Sequence, residues 1–194
     1  MAIFQMPIDK KIIDIKSAIT KAFVSGIMPV VHPTDDEIKE ALDILGLNGD
    51  DLRCVYCGDK STEWDHLRPL IINRKPTGYI SEIANLVPAC GKCNQSKGKK
   101  EWRTWMESTA KLSPKTRGVA NLKERIDRLE AYENWRDVKP INFEELVSAD
   151  IWEEYWRHLQ IIEDALNVAT QEAGKVKKKI SECLQEQHKS EDES

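Results

Sequence analysis

The 194-residue sequence has no apolar run near the roughly 18 residues that a membrane span needs. Its start, MAIFQMPIDKK, lacks the basic segment and long apolar block of an export signal. These absences predict a soluble chain without an export signal, kept in a cytoplasm. Internal repeats and low-complexity tracts are missing too, which excludes solenoids and arrays. Nor is there an excess of positive charge: 29 Lys and Arg stand against 33 Asp and Glu, a formal net charge of −4.

That net figure hides an asymmetry. Residues 87–125 hold ten Lys or Arg and three acids, a net +7, whereas residues 141–194 hold six and thirteen, a net −7. A basic middle is the footprint expected where phosphates bind, and a solvated helix face is the plainer alternative.

What is present begins with cysteine. Cys54 and Cys57, then Cys90 and Cys93, make two Cys-x-x-Cys pairs separated by 32 residues. Such pairs place four thiolates around one tetrahedral Zn²⁺. Two disulfides or a redox pair are the competing readings; a reducing compartment and the lack of a βαβ pattern around either pair weigh against them. Cys183 stands alone in a polar helical tail and reads as an unpaired small side chain. The gap exceeds the roughly 15–20 residues of a zinc ribbon, so something is inserted between the knuckles.

Periodicity organises the rest. Ile8, Ile12, Ile15, Ile19, Ala22 and Phe23 predict a helix from Pro7 to Phe23, ended by Gly26 and Pro29. Thr34 and Glu37 have capping-box spacing ahead of a second helix that stops at Gly46. The first knuckle and the segment Ser61–His66 read as a hairpin, and residues 67–84 as a long irregular loop. A helix carrying Asn94, Lys97, Trp102 and Trp105 should follow the second knuckle. Another should open at Ser113-Pro114, and a last long one after Asn142, with Phe143, Leu146, Val147, Ile151, Tyr155, Leu159, Ile162 and Leu166 as its stripe. The end, HKSEDES, should fray. The expected class is α+β and mostly helical. Its parts are an N-terminal helical region (1–50), a zinc-braced core (51–110), a C-terminal helical region (111–187) and a disordered tail (188–194).

Between and beside the knuckles stand the candidates for chemistry: Asp65, His66, Asn85 and Asn94, with Lys97 one turn beyond Asn94. Hydrolysis of a phosphodiester needs a base for water and a cation for the charge on the transition-state oxygens. Asp65 suits the cation and His66 the base. On a strand the two would face opposite ways, so local twist or a strand end is needed to join them. His66 as a buried structural histidine, and Asn85 and Asn94 as turn residues or caps, are the plainer readings. Trp64, Trp102 and Trp105 could stack on bases, but core packing is the better expectation.

The run CVYCG, then WDH, then NLVPACGKCNQSKG resembles the HNH endonuclease family, in the subgroup whose ββα-metal core is braced by a four-cysteine zinc site. The likeness covers Cys54 to Gly98, about a quarter of the chain. It implies a catalytic set of His66 as general base, Asp65 and Asn94 as ligands of a catalytic Mg²⁺ or Mn²⁺, and Asn85 as a brace of the loop. Asn94 stands where many members carry His, which leaves an oxygen donor there. Lys97 would meet a phosphate. Further DNA contacts are expected from Lys99, Lys100, Arg103, Arg68 and Arg74.

The resemblance thus implies a Mg²⁺-dependent DNA endonuclease of the restriction or defence kind, bacterial or phage-encoded, with structural Zn²⁺; the apolar C-terminal helix offers one means of pairing two copies into a homodimer through the helical regions. A zinc-dependent nucleic-acid-binding module without catalysis, or an RNA-cleaving nuclease, are the alternatives.

Overall fold

The structure, a computed structural model, describes residues 7–192, and the side chains of the last helix as far as residue 187. In chain order it has a 3-10 turn (Ile12–Ile15), α1 (Lys16–Ile27), α2 (Asp35–Leu45), β1 (Glu63–His66), β2 (Ile71–Ile72) and β3 (Lys75–Pro76). A second 3-10 turn (Ile83–Asn85) leads into β4 (Leu86–Ala89), α3 (Gly91–Lys97), α4 (Trp102–Met106), α5 (Leu122–Glu133), α6 (Phe143–Val147) and α7 (Ala149–Asp192). The class is α+β, mostly helical, with two small sheets. The chain divides into two compact units: Val24–Phe143, and Met1–Phe23 together with Glu144–Ser194. Among the described residues no helix is long and apolar enough to cross a membrane.

In the unit Val24–Phe143, the start of α2 follows its local signals. The Thr34 hydroxyl accepts from the Glu37 N–H, and the Glu37 carboxylate accepts from the Thr34 N–H at 2.8 Å. Gly46 ends the helix at φ +63, a conformation costly for residues with a Cβ. Ala41 and Leu45 then bury toward a core that also takes Ile126, Leu129 and Tyr132 of α5.

Tyr56, Trp102 and Trp105 fill the middle of that core, each contributing about 1.5–3 kcal/mol by burial. Trp102 and Trp105 therefore pack rather than stack on bases. Their ring N–H groups are satisfied inside, by Glu133 Oε2 at 3.1 Å and Ser96 Oγ at 3.0 Å. Trp64 differs: it is 58% exposed and edges an apolar hollow of about 370 Å³ between α2 and the β1–β4 pair.

Several boundaries depart from the sequence expectation. β1 pairs antiparallel with β4, with Asp65 opposite Val87 and His66 opposite Leu86; the first knuckle folds back through a single bridge, Arg53 to Lys60. The expected hairpin is thus replaced by a pairing across some twenty residues. The loop between holds a two-residue hairpin turn, Asn73-Arg74, both at positive φ.

The helix after the second knuckle is two helices. Gly98, at φ +52 and ψ −123, ends α3, and the Glu101 carboxylate caps α4 by accepting from the N–H groups of Arg103 and Thr104. Ser113 opens a turn instead of a helix, its buried hydroxyl bonded to the Ser108 carbonyl at 2.7 Å, and α5 starts only after Asn121.

In the other unit, residues 7–11 are not helical, and the 3-10 turn that follows them packs on α7. Ile13 N–H donates to Thr170 Oγ1 at 3.0 Å, and Lys177 pairs with Asp9. Lys16 pairs with the buried Glu163 at 2.9 Å. The last helical stretch breaks at Ser148, φ +80, which separates α6 from α7. Of the expected stripe on α7, Leu159 buries while Ile151 and Ile162 stay exposed. The end expected to fray at 188–194 continues as helix as far as Asp192, and the two residues after it lie outside the described ones.

Candidate metal centre and polar face

The two knuckles meet. The sulfurs of Cys54, Cys57, Cys90 and Cys93 all lie within 4.8 Å of one another, and Cys57 Sγ is 3.7 Å from Cys90 Sγ. None forms a disulfide. A Zn–S bond of about 2.3 Å makes the edge of a tetrahedron about 3.8 Å, so the spacing fits a four-sulfur Zn²⁺ shell. Hydrogen bonding among the sulfurs splits their acidity. Cys57 is held well below the usual thiol range by Cys54 and Cys93, while its bond with Cys54 pushes that thiol up to about 12. A dication at the centre removes that conflict by stabilising four thiolates together.

Two polar rungs connect β1 to α3. In the outer one, Asn94 Nδ2 donates to Glu63 Oε2 at 2.6 Å. In the inner one, Lys97 Nζ lies 3.3 Å from Oδ1 and 3.1 Å from Oδ2 of Asp65, and Tyr56 Oη donates to Oδ2 at 2.7 Å. The pattern follows from two periodicities: residues 63 and 65 share a strand face, and residues 94 and 97 share a helix face. Burial raises the Asp65 carboxyl, with Lys97 and Tyr56 pulling it back; burial lowers the Lys97 ammonium, with Asp65 opposing.

His66 closes β1 on the other strand face, where its Nε2 is 2.9 Å from Ser81 Oγ. The chain leaves the strand there, Leu67 N–H donating to the Asn85 carbonyl. Asn85 is fully buried and ties this bend together: Oδ1 accepts from the Arg68 N–H at 2.8 Å, and Nδ2 donates to the carbonyls of Arg68 and Ile80. The structure thus joins Glu63 to Asn94 and Asp65 to Lys97, and it sets His66 and Asn85 at the end of the same strand.

Residues 54–100 match the model of the HNH endonuclease family. These residues are an HNH endonuclease domain. Over 101 residues, half of this chain, the sequence is 30% identical to a CRISPR-associated endonuclease Cas9 of Corynebacterium diphtheriae. The chain spans 8% of that relative's length. No solved structure matches it.

Several cations around the HNH domain serve the fold. Lys97, expected at a phosphate, is fully buried, its ammonium also donating to the His66 carbonyl at 2.7 Å. Arg68 is committed to the carbonyls of Ala84 and Glu133, and Arg103 to the Glu130 carboxylate at 2.9 Å. Arg74, Lys99 and Lys100 remain exposed.

Sequence reasoning missed Glu63, Tyr56, Ser81 and Arg117. Strand alternation from Asp65 pointed to Glu63. Nothing local marks Arg117, whose guanidinium donates to Cys93 Sγ at 3.2 Å from 24 residues away.

Proposed function

We propose that the chain cleaves DNA by hydrolysing phosphodiester bonds with a divalent cation, the zinc cluster holding the HNH domain in shape. The reading is carried by one observation: the segment that matches the HNH family holds His66 and Asn85 at the end of β1 and, on the α3 face of that strand, Asp65 and the Glu63–Asn94 pair. His66 takes the proton from the attacking water, its ring oriented by Ser81 and its backbone by Lys97 and the Asn85 bend.

Asp65 and Asn94 would hold the cation. Their donors are oxygen only, which suits Mg²⁺ or Mn²⁺ rather than softer metals. Tyr56 and Lys97 already bond both Asp65 oxygens, so a cation would compete with the Lys97 ammonium for them. When bound, the ion neutralises charge on the phosphoryl and leaving oxygens. The four-sulfur site has no open position, so zinc takes no part in the chemistry.

One observation favours a second reading, a zinc-held binder without catalysis: the Asp65 carboxylate is already paired with Lys97 inside the core. Plasmid nicking separates the two. Cleavage with Mg²⁺ that stops with EDTA, and falls about 10²–10⁴-fold in His66→Ala with zinc content kept, is the expected result. Nicking by His66→Ala at the wild-type rate removes His66 from the chemistry, and no nicking by the wild type leaves the binder.

A further inference from the structure

We infer that Glu63 is a positioning residue, which holds Asn94 so that its amide oxygen is presented to the catalytic cation. This rests on the reading of Asn94 as a metal ligand. The observation is the 2.6 Å bond from Asn94 Nδ2 to Glu63 Oε2. An ionised carboxylate only accepts hydrogen bonds, so the NH₂ branch of the amide must face it. The oxygen branch of the same plane is thereby turned away from Glu63, and the two cannot exchange without setting oxygen against oxygen.

Without such a partner the amide rotates freely, and a cation must both select its oxygen and immobilise the side chain, with no carboxylate charge behind it. Outer residues that orient a ligand in this way are worth about 10–100-fold in metal affinity.

The rest of the neighbourhood accommodates the carboxylate. Gly91 opens α3 directly beneath it: a Cβ there would stand 2.9 Å from Glu63 Oε1. Glu63 lies on the Asp65 face of β1, so the residue that orients Asn94 and the carboxylate expected beside it are set by one strand. The inner rung works by the same device, Lys97 and Tyr56 fixing the Asp65 oxygens as Glu63 fixes the Asn94 amide.

The test uses the zinc-loaded full chain and Mn²⁺ as the probe, with binding measured by calorimetry. Variants are Glu63→Ala, Asn94→Ala and the double variant. We expect Glu63→Ala to weaken Mn²⁺ binding about 10–100-fold and to raise the Mg²⁺ needed for half-maximal nicking in parallel. The rate at saturating Mg²⁺ and the zinc content should hold. The double variant should bind Mn²⁺ no more weakly than Asn94→Ala alone, because Glu63 acts through Asn94.

Wild-type affinity in Glu63→Ala, with Asn94→Ala impaired, overturns the positioning role and leaves the nuclease reading standing. Additive losses in the double variant make Glu63 a ligand in its own right, which also overturns it. Wild-type Mn²⁺ affinity in Asn94→Ala overturns the ligand reading and this inference with it. If Glu63→Ala loses zinc, the isosteric Glu63→Gln takes its place in the same cycle. There the expected loss is several-fold, since a glutamine oxygen still accepts from Asn94 but competes with its own NH₂.

Discussion

The sulfur cluster and the polar face between β1 and α3 lie in the same matched segment, yet they are held together by opposite logic. The cluster gathers four like groups that repel one another until a cation joins them, so its stability is that of the ion. The polar face gathers unlike groups that satisfy one another directly, Asp65 with Lys97 and Glu63 with Asn94. In the first, every member is needed; in the second, the balance between desolvation and attraction decides what each pair contributes.

The sharpest way to break the comparison is at the cluster. Cys54→Ser removes one of four ligands from a buried site. Structural zinc contributes roughly 10–16 kcal/mol in small zinc folds, more than a segment of this size keeps in reserve. The variant should lose zinc and the fold of residues 54–100 together, read as zero bound zinc by chelator assay and lost near-ultraviolet circular dichroism. A variant that keeps its native signal without zinc would show that the aromatic core around Tyr56, Trp102 and Trp105 suffices.

The polar face should respond less, and with a different pattern. Removing one partner of a buried ion pair leaves a charge without compensation and costs about 3–5 kcal/mol, whereas replacing both is near neutral. Asp65→Asn and Lys97→Met should each lower the urea midpoint strongly, and the double variant should recover most of the loss.

The pH dependence has a definite sign. The Asp65 carboxyl is raised from 3.8, so its contribution is full below that pH and is lost as pH rises through the native value. Lys97 is lowered from 10.5, so its contribution is full above that pH and is lost as pH falls through the native value. Near pH 7 both charges are paid for in desolvation, and there the double variant should come closest to the wild type or exceed it. A double variant no better than the sum of the singles would show that the two charges are not coupled, and one that falls well below the wild type would make the pair a net stabiliser.

The same contrast governs what could be read from the sequence. The Cys-x-x-Cys pairs and the Thr34–Glu37 box are local: ligands two or three residues apart announce themselves by spacing, and both are formed. The partner of β1 was not legible, because its pairing with β4 spans a loop whose hydrophobic pattern says nothing about register. The breaks at Gly98, Asn121 and Ser148 depend on backbone conformations that a 3.6-residue periodicity runs straight through.

Basic residues misled for a related reason. A count of charge along residues 87–125 does not distinguish Lys99, which is exposed, from Lys97, buried two residues earlier against Asp65. Glu63 was within reach of strand alternation, but only once Asp65 was known to face α3 rather than solvent.

Arg117 offers the finest test, because it joins the two kinds of logic. It lies beyond the matched segment, yet its guanidinium donates to Cys93 Sγ and pairs with Asp59 beside the first knuckle, both at 3.2 Å. Burial disfavours its charge, but bonds to Cys57 and Cys93 outweigh that and raise it further above its ordinary range. A fixed cation against the sulfurs offsets the negative charge that four thiolates leave around one dication.

Arg117→Ala should therefore keep the fold and bind zinc about tenfold more weakly, at the low end of the effect of outer-shell partners. The readout is zinc transfer to a chromogenic chelator. Arg117→Lys should fall between, since lysine keeps the charge but not the planar fork that reaches Cys93 and Asp59 together. If Arg117→Ala surrenders zinc at the wild-type rate, the cluster depends on its own four sulfurs alone, and the divide between a cation-built centre and a mutually paired face becomes complete.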